Sequence, residues 1–219
     1  MKLYKFLPVI FLLQSLNLSA QLSDSVITDG KVFTKVEIEA GFPGGDNGWR
    51  SFLMKNLNAN IPVDNDAPSG KFTIIVKFAI AVDGSLSDVA AETNLGYGME
   101  QEVIRLIKKS GKWSPAIKDG KPIKAYRRQP VTFLVEQEDG YEIMTKNPFT
   151  LLTGADNEIT VKVKKISSSN LTVSASRGIV TPLEDGKFNL KIDSPGRVIV
   201  TVYNKKNNQK LCAASYEVK

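Results

Sequence analysis

The side chains most often used for catalysis are scarce in this sequence. It contains no histidine and one cysteine, Cys212, so Ser–His and Cys–His nucleophile systems are excluded, and a zinc site would lack its usual ligands. A general base near neutral pH would have to be a carboxylate or a lysine with a shifted pKa. We therefore predict that the protein is not an enzyme, and we expect no catalytic residue, metal, cofactor or small-molecule substrate.

Three short motifs match ligand-binding patterns only in part. The run from Asp64 to Asp66 has oxygen ligands for calcium, but no glutamate stands at the EF-hand spacing. The run from Gly96 to Gly98 lacks the third glycine of a dinucleotide loop, and Ser110 to Lys112 lacks the rest of a phosphate loop. We interpret the first motif as a turn and the glycines of the other two as helix boundaries.

The charge pattern offers one further candidate surface. The formal charge of +6 becomes +4 without the two lysines of the N-terminal segment, and this modest charge gives no reason to expect nucleic acid as a partner. Locally, the segment from Arg105 to Arg128 contains nine basic residues and a single acidic residue, Asp119. We interpret this segment as an ordinary solvated face, and a surface for an acidic partner or a glycan is the alternative.

The first twenty residues predict export. Two lysines precede an apolar run from Phe6 to Leu13, and small residues follow up to Ala20, as in a cleavable signal peptide. We expect residues 1–20 to be removed and the protein to reach the periplasm. An uncleaved anchor is the alternative, but the run is shorter than the roughly 20 apolar residues that span a bilayer.

Residues 31–138 are expected to form an α+β domain, in which a small antiparallel sheet carries helices on one face. Its clearest strand runs from Phe72 to Ile80, where apolar and polar residues alternate. Asp83 and Gly84 then predict a tight hairpin. The returning strand, Ser85 to Glu92, needs a bulge to keep its apolar residues on one face.

Two helices and two further strands complete this domain. A strand is expected over Val32 to Ala40, followed by a helix with Asp46 as its N-cap. The second helix is expected from Met99 to Ser110. The last strand, Ala125 to Val135, contains Pro130, which cannot donate a ladder hydrogen bond, so we expect it at a sheet edge. The apolar stripes of the helices are Trp49, Phe52, Leu53 and Leu57, and Met99, Val103, Leu106 and Ile107.

The rest of the chain predicts an all-β domain. Residues 136–147 are expected to be an irregular linker. Residues 148–219 then show short alternating segments without a helical period, which is typical of a small immunoglobulin-like sandwich. Strands are expected over 158–164, 171–174, 178–181, 187–191, 197–203 and 210–218, with a core of Ile159, Val161, Val163, Phe188, Leu190, Ile192, Val198, Val200 and Val202.

Three stretches in the first domain carry a family resemblance. Residues 70–78 (GKFTIIVKF), 82–89 (VDGSLSDV) and 112–116 (KWSPA) follow the order strand, Asp-Gly hairpin, strand, helix, Trp-x-Pro-Ala, strand. This order resembles the C-terminal domain of TonB. The preceding segment, 33–57, resembles a variant common in TonB-related proteins of Bacteroidetes. The resemblance implies a cell-envelope protein of a Gram-negative bacterium.

The resemblance also implies a binding mode. Domains of this family bind a short segment of an outer-membrane transporter by pairing it with the edge of their sheet, which is β-augmentation. The implied partner is therefore an outer-membrane transporter or another envelope protein, and the implied process is TonB-dependent transport. The edge strand selected by the resemblance carries Tyr126, Arg127, Arg128, Gln129, Val131 and Phe133.

A second resemblance supports a different function. Residues 151–159 (LLTGADNEI) resemble the immunoglobulin-like C-terminal domain of the gliding-motility protein GldM, which belongs to an envelope-spanning secretion motor. The alternative function is thus a structural adaptor of an envelope machine without peptide capture. The strand expected at Val32 to Glu39 bears on this choice, because pairing with Tyr126 to Phe133 would block the binding edge.

Overall fold

The computed structural model describes residues 26–28, 31–33, 36–136 and 140–219, which form two compact units. The N-terminal unit holds the described residues up to Asn65 together with Thr73–Phe133, and the C-terminal unit holds Asp66–Phe72 and Leu134–Lys219. The expected signal peptide lies outside the described residues. Among those that are described, no helix combines the length and the hydropathy needed to cross a membrane.

Short strands and three helices make up the first part of the described chain. Strands β4, β3 and β7 form a three-stranded sheet in that order, and the pairs β1–β2 and β5–β6 form two small antiparallel ribbons. The elements are β1 (Val26–Thr28), β2 (Lys31–Phe33), α1 (Gly45–Asn56), α2 (Ile61–Asp64), β3 (Gly70–Ile80), β4 (Leu86–Ala91), α3 (Met99–Lys109), β5 (Ala116–Lys118), β6 (Lys121–Ile123) and β7 (Ala125–Val135).

The hairpin of β3 and β4 confirms the sequence interpretation. Every second residue of β3 from Phe72 to Ile80 is buried, as the alternation predicts. Gly84 forms the turn at φ +81° and donates its N–H to the carbonyl of Ala81 at 2.9 Å. The expected bulge is also present, because the register shifts between Lys77 and Ala79.

Helix α3 buries its apolar stripe and two of its acidic residues. Glu100, only 6% exposed, accepts the backbone N–H groups of Leu95 and Gly96 at 2.6 and 3.2 Å. Glu102, also 6% exposed, accepts the N–H of Asn58 at 2.7 Å. These carboxylates therefore attach two neighbouring loops to the first turn of the helix. Their negative charge also stabilises the helix through its dipole. The predicted stripe is confirmed, since Met99, Val103, Leu106 and Ile107 are all 0% exposed.

Five aromatic rings form a cluster on the helical side of the N-terminal unit. Trp113 is at its centre, with ring centroids 5.4 Å from Phe42, 5.5 Å from Trp49 and 4.9 Å from Phe78. The ring of Phe52 stacks on Trp49 at 5.5 Å and 18°. The cluster explains why residues 42–52 pack as they do, and it confirms the predicted packing role of Trp49.

The N-terminal segment differs from the expected strand over Val32 to Ala40. Among its described residues, 32 and 33 lie in a ladder, in β2, which pairs with β1. Further on, single bridges join Ile38 to Ile117 and Gly41 to Ser114. The prediction of one continuous strand was therefore wrong.

The start of helix α1 also differs from the prediction. The residue at the N-cap is Gly44, in a left-handed conformation with φ +79°, and Asp46 lies in the first turn. The expectation of Asp46 as the N-cap was wrong, because Gly44 and Gly45 supply the sharp turn and Asp46 follows them. A carboxylate in the first turn still favours the helix through the dipole.

The C-terminal unit consists mainly of two four-stranded sheets around one apolar core, which confirms the expected β-rich region. The sheet orders are β12-β13-β10-β8 and β11-β14-β15-β9. A 3-10 turn, Ser168–Asn170, precedes β11. The strands are β8 (Tyr141–Thr145), β9 (Thr150–Leu151), β10 (Asp156–Val163), β11 (Leu171–Ala175), β12 (Ile179–Pro182), β13 (Lys187–Lys191), β14 (Gly196–Asn204) and β15 (Gln209–Val218).

All six predicted strands of this unit are present, and the nine predicted core residues are buried. The expected linker is the exception. Tyr141–Thr145 forms strand β8, which pairs with β10 and buries Ile143 at 6% exposure. The prediction of irregular structure was therefore wrong over these five residues, where Tyr141, Ile143 and Thr145 continue the alternation of the sheet.

The short segment Asp66–Phe72 belongs to the C-terminal unit through its backbone. Ser69 donates its N–H to the carbonyl of Ala213 at 3.1 Å and accepts the N–H of Ser215 at 2.6 Å. Arg197 donates to the carbonyl of Lys71 at 3.3 Å. Its guanidinium also lies 4.6 Å from the ring centre of Phe72. These contacts connect β15 and β14 to residues that precede them by more than a hundred positions.

Candidate partner-binding edge

Strand β7 is the last strand on one side of its sheet, as the position of Pro130 predicts. The sheet order β4-β3-β7 leaves one side of β7 without a paired strand in the described part of the chain. Pro130 is exposed in the middle of the strand. A proline is tolerated there when its missing N–H would have pointed away from the sheet, so the even-numbered residues of β7 direct their main-chain groups outward.

The six predicted contact residues lie together on β7 but divide between its two faces. Gln129, Val131 and Phe133 are buried, at 9%, 2% and 3% exposure. Their side chains therefore serve the core, and as odd-numbered residues they direct their main-chain groups toward the sheet rather than toward its open side. Tyr126 and Arg128 are half-buried on the opposite face. Sequence reasoning placed all six on one edge but did not separate these roles.

Arg127 is held in place on the helical side of β7. It shares the phase of the buried residues, and its guanidinium lies 5.7 Å from the ring centre of Trp113. It donates to the carbonyl of Ala40 at 2.7 Å and to the side-chain oxygen of Gln129 at 3.3 Å. These acceptors are neutral, so they fix the guanidinium next to the edge without cancelling its charge.

The opposite face of the sheet carries a chain of charged and aromatic contacts. Arg128 donates to Glu92 at 2.8 Å. The ammonium of Lys77 lies 4.8 Å from the ring centre of Tyr126, whose hydroxyl is 3.5 Å from Asp88. Sequence reasoning missed Lys77, Asp88 and Glu92 because no local pattern connects them with residues 36 or more positions away.

The ion pair on this face makes a pH-dependent contribution to stability. The hydrogen bond from Arg128 holds the pKa of Glu92 below its ordinary value of 4.5. A lowered folded-state pKa stabilises the fold above the unfolded value, and this stabilisation is lost as the pH falls through the folded value. Replacing Glu92 with glutamine should therefore flatten the fall in urea midpoint below about pH 4.5. The control is the same change in an Arg128→Gln background, where the flattening should disappear; equal flattening in both backgrounds would contradict the assignment.

The basic segment from Arg105 to Arg128 is less uniform than its composition suggests. Among the described residues, four of the nine cations form ion pairs with acidic residues that precede the segment in the sequence. The four ion pairs are Arg105–Glu102 at 2.7 Å, Lys112–Asp83 at 3.1 Å, Lys124–Asp88 at 3.8 Å and Arg128–Glu92 at 2.8 Å. The structure thus favours the solvated-face interpretation over a continuous surface for an acidic glycan.

The described residues show neither a metal cluster nor a polar catalytic pocket. No group of three or more Cys, Asp or Glu side chains among them is placed to hold a metal. A cavity of about 390 Å³ lies in the C-terminal unit, where its described lining includes Met144, Phe149 and Tyr216. Glu136 is the one charged residue among the described residues that line it.

Comparison with known families matches both parts of the chain. The family described as the Gram-negative bacterial TonB protein C-terminal domain matches residues 72–135, and the GldM third domain matches residues 141–219. No curated protein matches the chain. The two resemblances predicted from the sequence are confirmed, and the matches support a TonB-like or gliding-machine envelope module.

Proposed function

Starting from the TonB-like match over the sheet, we propose that the protein is a periplasmic binding module that captures an extended segment of an outer-membrane transporter or another envelope protein. The segment pairs with the outer side of β7. The observation that carries this proposal is the position of β7 at the end of its sheet, because a strand edge offers main-chain donors and acceptors to another chain.

The N-terminal segment supports the proposal by its location. It had the potential to occupy the edge of β7, yet its described bridges join Ile38 to Ile117 and Gly41 to Ser114. The described contact between this segment and β7 is a hydrogen bond from the side chain of Arg127, in β7, to the carbonyl of Ala40, in the segment. In its described part, the segment therefore contacts the edge strand without adding a strand to it.

The side chains beside the edge suggest which segments bind best. Arg127 keeps its positive charge next to the edge, since its hydrogen bonds go to neutral oxygens. An acidic residue of the partner would find a fixed cation there. Because main-chain pairing supplies most of the affinity, replacing Arg127 with alanine should change the salt dependence of binding more than it weakens binding.

The decisive experiment changes one main-chain donor. In the full chain, Thr132→Pro removes an N–H that points outward from β7, and it should reduce capture of the partner about 3–10-fold. Thr132→Val removes only the hydroxyl that contacts Thr73 at 3.0 Å, so it should leave capture unchanged. Capture is measured by mass spectrometry of solubilised envelope proteins retained on each immobilised variant.

Two controls keep this result interpretable. Val180→Pro introduces the same residue in β12, an edge strand of the C-terminal unit in which the odd-numbered residues face β13 and the N–H of Val180 faces the open side, and should not affect capture. Hydrogen–deuterium exchange on the unaltered protein gives an independent measurement, because a paired segment should protect the amides of β7. Capture that is insensitive to Thr132→Pro, together with unprotected β7 amides, would rule out strand addition at this edge.

The GldM-type match supports a second candidate, an adaptor of an envelope machine that uses the C-terminal unit. This match covers residues 141–219 and is independent of β7. Under the adaptor function, partners would still be captured by every Thr132 variant and would be lost when the C-terminal sheets are altered. The same set of variants therefore separates the two functions.

A further inference from the structure

The cavity of the C-terminal unit has the size and the opening of a ligand site. Its volume of about 390 Å³ lies in the range of pockets that hold small molecules. All of its described lining residues belong to this one unit, and β8 and β15 both contribute to its walls. Met144 and Phe149 line it and are 41% and 40% exposed, so they lie where the cavity meets the solvent.

The hydroxyl groups that line the cavity already have partners within the chain. Ser69 donates its hydroxyl to a carbonyl of β15 at 3.1 Å, and Thr145 donates its hydroxyl to a carbonyl of the following loop at 2.6 Å. The hydroxyl of Ser215 accepts a hydrogen bond from Arg197 at 2.8 Å. Since these groups are satisfied, the walls make little demand for polar atoms, and the body of a ligand is expected to be apolar.

The charge at the cavity selects the head group of a ligand. Glu136 is the one charged residue among the described lining residues, and it is exposed. It takes part in none of the ion pairs of the described chain. Its negative charge is therefore available to a cation and opposes the binding of an anion.

The aromatic lining favours the same sign of charge. The side chains of Phe149 and Tyr216 both line the cavity. Aromatic rings attract cations through their negative faces, and ammonium groups are commonly bound by rings of this kind. A carboxylate head group would gain nothing from the rings and would be repelled by Glu136.

We propose that this cavity binds a small organic cation, in which an amine or quaternary ammonium group is attached to an apolar body. The body lies between β8 and β15, and the cationic head lies at the open side beside Glu136. Binding here is a second activity besides the capture of a strand by β7, and it needs no main-chain pairing.

Methionine methyl signals in the full chain test the site directly. Of the four methionines, Met144 lines the cavity, whereas Met54 is 71% exposed on α1 and Met99 is buried in α3. The probes are hexylammonium, hexanoate and hexan-1-ol, which share one alkyl chain and differ in charge. Hexylammonium should shift the ¹³C-methyl signal of Met144 with a dissociation constant of about 0.1–10 mM. Hexanoate should bind at least about five times more weakly.

Two variants identify the groups that recognise the cation. Glu136→Gln should weaken the binding of hexylammonium about threefold and leave hexan-1-ol unchanged. Phe149→Leu keeps an apolar side chain but removes the ring, so it should also weaken hexylammonium more than hexan-1-ol. The control is Glu142→Gln, at an exposed carboxylate of β8 that is 3.9 Å from Lys162 and does not line the cavity. This control should bind all three probes like the unaltered chain.

The signals of Met54 and Met99 separate specific binding from general adhesion of the alkyl chain. Both should stay in place while the signal of Met144 moves. Any of four results overturns the proposal: a Met144 signal that no probe shifts, a Met54 signal that shifts equally, equal affinities for hexylammonium and hexanoate, or binding of hexylammonium that Glu136→Gln leaves unchanged.

Discussion

Replacing Trp113 with alanine should lower the free energy of unfolding of the N-terminal unit by about 3–5 kcal/mol. The side chain is 2% exposed and contacts three aromatic rings at centroid distances of 4.9 to 5.5 Å. Its indole N–H also donates to the hydroxyl of Ser110 at 2.8 Å. Alanine would remove this hydrogen bond and leave a large cavity at the centre of the cluster, which the surrounding rings cannot fill without leaving their own contacts.

Urea titration followed by tryptophan fluorescence measures this effect. Trp49, the other tryptophan of the chain, reports on the same unit and remains in the variant. Trp113→Phe keeps most of the ring packing, so it should cost clearly less than alanine. Phe149→Ala, at a residue 40% exposed in the C-terminal unit, should shift this transition by less than about 1 kcal/mol. A Trp113→Ala loss no larger than that of Phe149→Ala would contradict the central role of the cluster.

Replacing Gly70 with alanine should destabilise the C-terminal unit by about 2–4 kcal/mol. Gly70 has φ +151°, where a side chain is strained, and an added Cβ would lie 2.8 Å from the carbonyl oxygen of Ser215. Because that oxygen belongs to the backbone of β15, relief requires moving a strand. The variant should therefore loosen the pairing of Ser69 with β15.

A second glycine separates the two causes of this effect. Gly154 also has a positive φ, +69°, but an added Cβ would meet nothing within 4 Å. Gly154→Ala thus measures the backbone cost alone, which is about 1 kcal/mol. Thermal unfolding followed by far-ultraviolet circular dichroism compares the two. Equal losses at both positions would show that the approach of Gly70 to Ser215 contributes nothing.

The predictions from sequence succeeded where one physical pattern dominated a long segment. β3 is buried at every second residue, and α3 has a continuous apolar stripe, so each contains enough repeats to specify its type and its inner face. The strands of the C-terminal unit were shorter, yet glycine and polar turns separated them clearly. In these segments the local preference and the final packing agree.

The failures came from short segments and from contacts between distant residues. Tyr141–Thr145 has only three inward positions among acidic neighbours, so its alternation was too brief to indicate β8. Gly44 replaced Asp46 as the N-cap because the turn before the helix needs a positive φ, which outweighs the preference for a capping side chain. Burial of Glu100 and Glu102 depends on N–H groups of separate loops, and a charge pattern along one helix does not contain that information.

The candidate edge was predictable in part for the same reasons. Pro130 alone indicated an edge strand, since a missing N–H restricts where a strand can lie. The division of side chains between two faces followed only from the structure. The partners Glu92 of Arg128 and Ala40 of Arg127 were not predictable either, because each pair is separated by at least 36 residues.

The grouping of Asp66–Phe72 with the C-terminal unit bears on how genes for such proteins can recombine. The two family matches end and begin at residues 135 and 141, which suggests a single joint at which modules could be exchanged. A crossover there would separate Ser69 from its backbone partners Ala213 and Ser215. A new C-terminal module would succeed only if it offered an equivalent strand edge to this segment. Proteins that arise from such an exchange should therefore keep residues 66–72 and β15 from the same parent. The TonB-like sequence lies between these two segments in the chain.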